Sequence, residues 1–220
     1  MPERVSEVAI PDGAIKLPGS LGVPDGPIGL VIFAHGSGSS RLSPRNRAVA
    51  ESLRRASLAT LLFDLLSEPE AADRANVFDI ELLAARLSAA ARWARHHPEL
   101  RILPIGYFGA STGAAAGLVA AAADHSIGAV VSRGGRPDLA GGFLGDVVAP
   151  TLLIVGGEDH GVVELNTEAY ERLRHVKRVE IVPGATHLFE ETGAMEQVSD
   201  LARDWFVEHL SRAPVPALEK

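Results

Sequence analysis

Three short turns in this chain carry residues that could work together as nucleophile, acid and base. The first reads Gly109-Ala110-Ser111-Thr112-Gly113, the pattern Gly-x-Ser-x-Gly, between an apolar run and a helix-like stretch of small residues. A tight strand-to-helix turn forces its central residue into a strained backbone conformation. The flanking glycines let neighbouring backbone come closer than a Cβ would allow. The serine oxygen is thereby lifted out at a helix N-terminus, where the dipole favours developing negative charge. Ser111 is the one serine in the chain that meets the pattern. A bland reading, a glycine-rich turn whose serine only caps a helix, stands beside it.

A neutral serine needs a general base, itself oriented by a third group. The turn at 156–161 reads Gly-Gly-Glu-Asp-His-Gly, and the turn at 183–189 reads Pro-Gly-Ala-Thr-His-Leu-Phe. Each follows a strand-like run. The order Ser111, Asp159, His187 makes His187 the base and Asp159 its orienting acid. Glu158 adjoins Asp159 and is the alternative acid, while His160 would share one loop with its own acid. His96 and His97 close a helix, and His125, His175 and His209 read as surface residues. An oxyanion would be held by the Thr112 N–H and by one amide of 36–38, with Ser37 favoured over Gly36 and Gly38. The His35-Gly36-Ser37-Gly38 turn lacks the Gly-Lys-Ser/Thr ending of a P-loop and the third glycine of a dinucleotide fingerprint. Arg133 and Arg136 could attract a substrate carboxylate, or could simply be exposed loop charges.

Elements that alternate along the chain must position these turns. Apolar β-rich runs at 28–34, 58–64, 102–108, 127–131, 151–155 and 178–182 interleave with helical stretches at 44–56, 78–97, 112–123, 164–174 and 195–210. Such alternation predicts an α/β fold: a doubly wound, mostly parallel sheet with helices on both faces. The stretch 4–17, folded around Asp12-Gly13, reads as an antiparallel edge. No long Pro/Ser linker interrupts 1–220, so one domain is expected, with 211–220 as a loose tail. Ligands of such sheets sit beyond the strands' carboxyl ends, where the three turns fall.

Composition narrows the chemistry. Among 220 residues, 21 Lys and Arg face 28 Asp and Glu, a formal charge of −7 that argues against nucleic acid and anionic membranes as partners. With no cysteine, disulfides, thiolate nucleophiles and cysteine-based metal sites are excluded. No histidines and carboxylates stand at ligand spacing, so neither metal nor cofactor is expected. The longest apolar stretch, 113–123, has about half the roughly 20 residues a membrane span needs. The charged N-terminus lacks the apolar segment of a signal peptide, and a cytoplasmic location is the expectation.

Taken together, the His-Gly-Ser-Gly-Ser turn, the Ala-Ser-Thr-Gly elbow, the Gly-Gly-Glu-Asp acid turn and the Gly-Ala-Thr-His-Leu-Phe base turn resemble the α/β-hydrolase superfamily. Ser-Arg-Gly-Gly-Arg-Pro-Asp at 132–138 points to its dienelactone hydrolase-like branch. The resemblance spans nearly the whole chain. It implies no large cap domain, leaving 64–79 as a partial lid. Dienelactone hydrolases carry cysteine at the elbow, and Ser111 is a departure that shifts the expectation toward small esters or lactones. The same triad could serve thioester, phosphotriester or peracid chemistry, or the fold could be a binding module with little turnover. A homodimer is an allowed assembly.

Overall fold

The structure, a computed structural model, describes residues 4–211. The tail expected at 211–220 lies, from 212 onward, outside the described residues. Eight strands form one sheet: β1 (Arg4–Asp12), β2 (Ile15–Val23), β3 (Gly29–Ala34), β4 (Leu58–Phe63), β5 (Ile105–Ala110), β6 (Ala129–Arg133), β7 (Thr151–Gly156) and β8 (Lys177–Val182). Their spatial order is β1-β2-β4-β3-β5-β6-β7-β8. From β4 to β8 all neighbours are parallel, whereas β2 runs antiparallel to β4 and β1 antiparallel to β2. The expected hairpin is therefore present as the sheet's antiparallel edge, with Gly13 at φ 59° in its turn.

The connections are α1 (Pro44–Arg55), α2 (Glu68–Ala71), α3 (Arg74–Val77), α4 (Ile80–His96), α5 (Thr112–Ala123), α6 (His160–Arg172) and α7 (Ala194–Leu210), with a 3₁₀ segment at Pro137–Asp146. Side chains alternate between two cores, as strand geometry requires. Leu30, Ile32 and Ala34 of β3 pack under α4 and α5, while Val31 and Phe33 pack under α1 and α7. All six residues of β3, β4, β5 and β7 are buried, which is why these strands read as continuous apolar runs. β8, with a single neighbour, keeps Lys177, Arg178 and Glu180 on its edge.

Several boundaries differ from expectation. The strand expected at 102–108 runs over Ile105–Ala110, because 97–103 is consumed by turns closed by Leu100 N–H on His97 O (3.0 Å) and Leu103 N–H on Leu100 O (2.9 Å). Its carboxyl end continues through Gly109 and Ala110 because Ala34 and Arg133 pair with them. The strand expected at 127–131 likewise runs to Arg133, which places an arginine inside the sheet. The helix expected from 164 begins at His160. Residues 64–79, expected as a partial lid, carry two single helical turns, α2 and α3. No inserted domain covers the strands' carboxyl ends among the described residues, and none of their helices is long and apolar enough to cross a membrane.

The chain passes from β3 to β4 on one side of the sheet and then to β5 on the other. The turns after β3 and β5 diverge there, opening a crevice at the point where strand order reverses.

Candidate active site

Ser111 stands in that crevice between β5 and α5, at φ 51° and ψ −121°, a positive-φ conformation that costs a non-glycine residue about 1–3 kcal/mol. The surroundings over-determine it. Its N–H donates to Arg133 O (3.3 Å), and its carbonyl accepts from Ala114 N–H and Arg136 N–H, each 3.1 Å. A Cβ on Gly109 would meet Ala114 Cα at 2.4 Å, and one on Gly113 would meet Ala34 O at 2.3 Å. Both glycines of the motif are thus required by backbone contact.

Asp159 caps the start of α6 without bonding the helix through its side chain, so its carboxylate is available elsewhere. Asp159 Oδ2 lies 2.6 Å from His187 Nδ1. An Nδ1–H donating to this carboxylate leaves Nε2 as the acceptor, the tautomer a base requires. Backbone bonds hold the two loops together: Glu158 N–H on Ala185 O (2.9 Å) and Gly157 N–H on Val182 O (2.9 Å). Gly156 permits this approach, since a Cβ there would sit 2.4 Å from Ala185 O. Glu158, the alternative acid, turns to exposed His160 at 3.8 Å and is not beside His187.

Ser111 and His187 line one cavity of about 270 Å³, together with Ser37, Arg45 and Arg133. No hydrogen bond joins Ser111 to His187 in this structure; such catalytic contacts commonly tighten only with substrate bound. The structure places Thr112 N–H in the first turn of α5, among the donors a helix leaves free of its own ladder. Ser37 N–H is differently disposed. It donates to Thr112 Oγ1 at 3.0 Å, so an oxyanion would have to take it from that hydroxyl.

The two arginines part company. Arg136 makes a two-pronged pair with Asp138, Nε to Oδ1 at 2.9 Å and Nη2 to Oδ2 at 2.7 Å. Arg133 is 7% exposed, and its guanidinium has no carboxylate partner among the described residues. Its polar contact is a long one, Nη2 to Asn46 Oδ1 at 3.4 Å, and its buried Nε has none. It also lies over the Phe189 ring at 5.9 Å. A cation–π contact is worth about 0.5–2 kcal/mol, against a burial penalty of several kcal/mol per ion. The charge is under-compensated. Burial, and then the neighbouring Arg45, push the Arg133 pKa down to about 10, still charged at neutral pH.

The His35 ring uses both of its nitrogens. Leu65 N–H donates to Nε2 (3.1 Å), which leaves Nδ1–H to donate to Gly36 O (3.0 Å). This stitches the 35–40 turn to the start of the 64–79 segment. A second cavity of about 430 Å³ lies between these two, lined by Leu65, Leu66, Val77 and Leu83, and it shares Gly36, Ser37 and Ser39 with the first. Neither role had a local motif. The signal that existed was a charge ending an otherwise buried strand run at 129–133.

No group of three or more histidine and acidic residues among the described residues could hold a metal ion. No protein-family model matches the chain. It superposes on a dienelactone hydrolase from Anabaena variabilis with a TM-score of 0.93, 52% identity and coverage of 96% of this chain and 100% of that one. It shares the fold of Est1E from Butyrivibrio proteoclasticus (TM-score 0.80, 18% identity, 94% and 99% of the chains). The same holds for an α/β serine hydrolase without lid from Xanthomonas campestris (TM-score 0.78, 21% identity, 97% and 99%). Two curated Mycobacterium tuberculosis proteins, of strains CDC 1551 and H37Rv, carry a phosphoribosyl transferase name and are each 59% identical over 210 residues. That match takes in 95% of this chain but 47% of theirs, so the chain spans about half the length of the curated relatives. By its near-complete match to the Anabaena protein, in sequence and in fold alike, this chain belongs to the dienelactone hydrolase-like family of the α/β-hydrolase superfamily.

Proposed function

We propose that the chain is a serine hydrolase of small carboxylic esters or lactones. The observation that carries this reading is the 2.6 Å contact of His187 Nδ1 with Asp159, in a cavity shared with a strained, outward-lifted Ser111. Ser111 Oγ attacks the carbonyl carbon as His187 Nε2 takes the hydroxyl proton. The resulting oxyanion is met by Thr112 N–H and by Ser37 N–H, the latter released from Thr112 Oγ1. Collapse breaks the ester bond, and the imidazolium returns its proton to the departing alkoxide. Water then attacks the acyl-enzyme with the same base, freeing the acid and Ser111. Asp159 keeps the imidazole oriented and its positive charge balanced throughout.

The phosphoribosyl transferase name belongs to proteins about twice this length. The His187–Asp159 pair, with Ser111 lining the same cavity as His187, favours acyl transfer for this chain. Titration with an organophosphonate ester, followed by mass spectrometry, should place the adduct on Ser111. Turnover of p-nitrophenyl acetate should fall by about 10⁴-fold or more in Ser111→Ala. No adduct, with hydrolysis no faster than in that variant, would leave a binding module on the hydrolase fold as the surviving account.

A further inference from the structure

The sheet ends at β8, which pairs with β7 alone among the described residues. Val176 O and Val182 O accept from Thr151 N–H and Gly157 N–H on the β7 side, each at 2.9 Å, so the even-numbered residues of β8 face β7. Strand geometry then turns the N–H and C=O of Lys177, Val179 and Ile181 outward, a row of backbone groups open to another strand. The lysine that would guard such an edge is turned back into the fold. Its Nζ donates to Tyr170 O and, at 2.8 Å, to Leu173 O. Ile181 and, just before the strand, Val176 are exposed. On the other face Arg178 lies over the Trp205 ring at 5.3 Å, and Glu180, two residues on, shares that face. Neither has an ion-pair partner among the described residues.

We propose that this edge takes a second copy of the chain, β8 against β8 and antiparallel, about a two-fold axis at Val179. That register joins Val179 to its own copy and Lys177 to Ile181 of the second copy, each pair exchanging two backbone bonds. It also sets Arg178 opposite Glu180 of the second copy, in the closer, non-hydrogen-bonded positions where side chains meet. The neighbouring registers are unfavourable. An axis at Lys177, Arg178 or Glu180 opposes that charge to itself, and one at Ile181 sets Val179 against Pro183, which has no N–H to give. The strand thus complements itself in backbone and in charge at one position. Its pairing reaches Val182, where the turn that carries His187 begins. Pairing of β8 does not depend on what Ser111 catalyses.

An edge contact of this length belongs among small interfaces, under about 1,200 Å² in total, so the dimer should depend on concentration. Sedimentation velocity of the full chain between about 1 μM and about 1 mM should show one copy giving way to two. One copy throughout overturns the proposal. Glu180→Arg makes both facing positions basic and Arg178→Glu makes both acidic, so each variant alone should dissociate about tenfold more readily or worse. Mixed in equal amounts they should form a heterodimer, basic strand against acidic strand, which a damaged edge would not do. Dimers unaffected by either substitution, or a mixture that stays monomeric, overturn this surface. Cross-linking fixes the register. The chain has no cysteine, so Val179→Cys introduces a single thiol, its Cα about 5.5 Å from its copy and within the span of a disulfide. Oxidation with copper-phenanthroline should link this variant into a covalent dimer. Ile181→Cys, on the order of 13 Å from its own copy at about 3.4 Å per residue, should link about tenfold more slowly or less. Equal cross-linking at both positions overturns the register. Should a charge variant fail to fold, the cysteine pair decides.

Discussion

Thr112 has two parts in the proposed chemistry. Its amide lies in the first turn of α5, among the donors outside the helix's own ladder, while its hydroxyl accepts the Ser37 N–H at 3.0 Å. Ser37 N–H, the proposed second oxyanion donor, is thereby paired in this structure, and an oxyanion there would have to displace that bond. Thr112→Val keeps the shape and deletes the acceptor. A buried donor without a partner costs about 1–3 kcal/mol, a loss that an arriving oxyanion would reverse. Expected together are a lower melting temperature and a rise of a few-fold in kcat/KM for a neutral ester; a fall in kcat/KM would show that the hydroxyl supports the turn instead. At this scale the sequence was informative where a residue had a motif around it. Ser111, Asp159 and His187 stand in order in the sequence, and that order favours Asp159, with Glu158 beside it as the alternative acid. Adjacent side chains leave a loop in different directions, and only the fold reveals which one meets His187. Arg133 is legible in the sequence as a charge but not as a buried one, because the apolar run ends at Val131 while β6 continues to Arg133.

At the scale of elements, two contacts carry the site, one of backbone on backbone and one of a side chain on backbone. The β5–α5 elbow lies directly on the end of β3, with the missing Cβ of Gly113 leaving room for Ala34 O. Gly113→Ala forces backbone apart rather than a flexible side chain, and should cost at least about 1–3 kcal/mol, the range for overpacking. Thermal unfolding measures it, and a loss below half that range would mean the elbow yields easily. His35 binds the 35–40 turn to Leu65. Burial, the largest influence, holds its imidazole below the ordinary value of 6.5, outweighing Gly36 O and Asp64, which pull the other way. The unfolded chain therefore takes up that proton more readily than the folded one. Stability is full above pH 6.5 and declines as the pH falls below it, toward the lower folded value. His35→Gln should show a shallower fall in melting temperature between pH 7 and 5, and identical slopes would remove His35 from the acid sensitivity. The 64–79 segment holds local order that periodicity does not reveal. Ser67-Glu68-Pro69-Glu70 is a capping box with a proline in the first turn, confirmed by Ser67 N–H on Glu70 Oε2 at 2.8 Å. The signal was present, but a helix of four residues has too little periodicity to be seen.

For the whole molecule, the question is whether both faces of the sheet form one cooperative unit. Alternation of side chains along β3 to β7 makes each of these strands a member of both cores, so loss of one core strips the strands that hold the other. The apolar runs of the sequence already implied this, since a strand buried on both faces needs helices on both. What the sequence could not fix was strand order, because pairing across the switch point between β3 and β5 leaves no trace in local composition. Two tryptophans report on the two faces: Trp93 of α4 packs against the first core and Trp205 of α7 belongs to the second. In Trp93→Phe and Trp205→Phe variants, each retaining one reporter, the fluorescence melts should coincide with each other and with loss of helical circular dichroism, after allowance for each variant's own stability shift. A reporter on α7 that changes several degrees before the sheet unfolds would place α1 and α7 in a separately unfolding layer. That layer contains Phe189, whose ring lies beneath Arg133, so early loss of it would loosen the cavity wall at Arg133 before the elbow that holds Ser111 is disturbed.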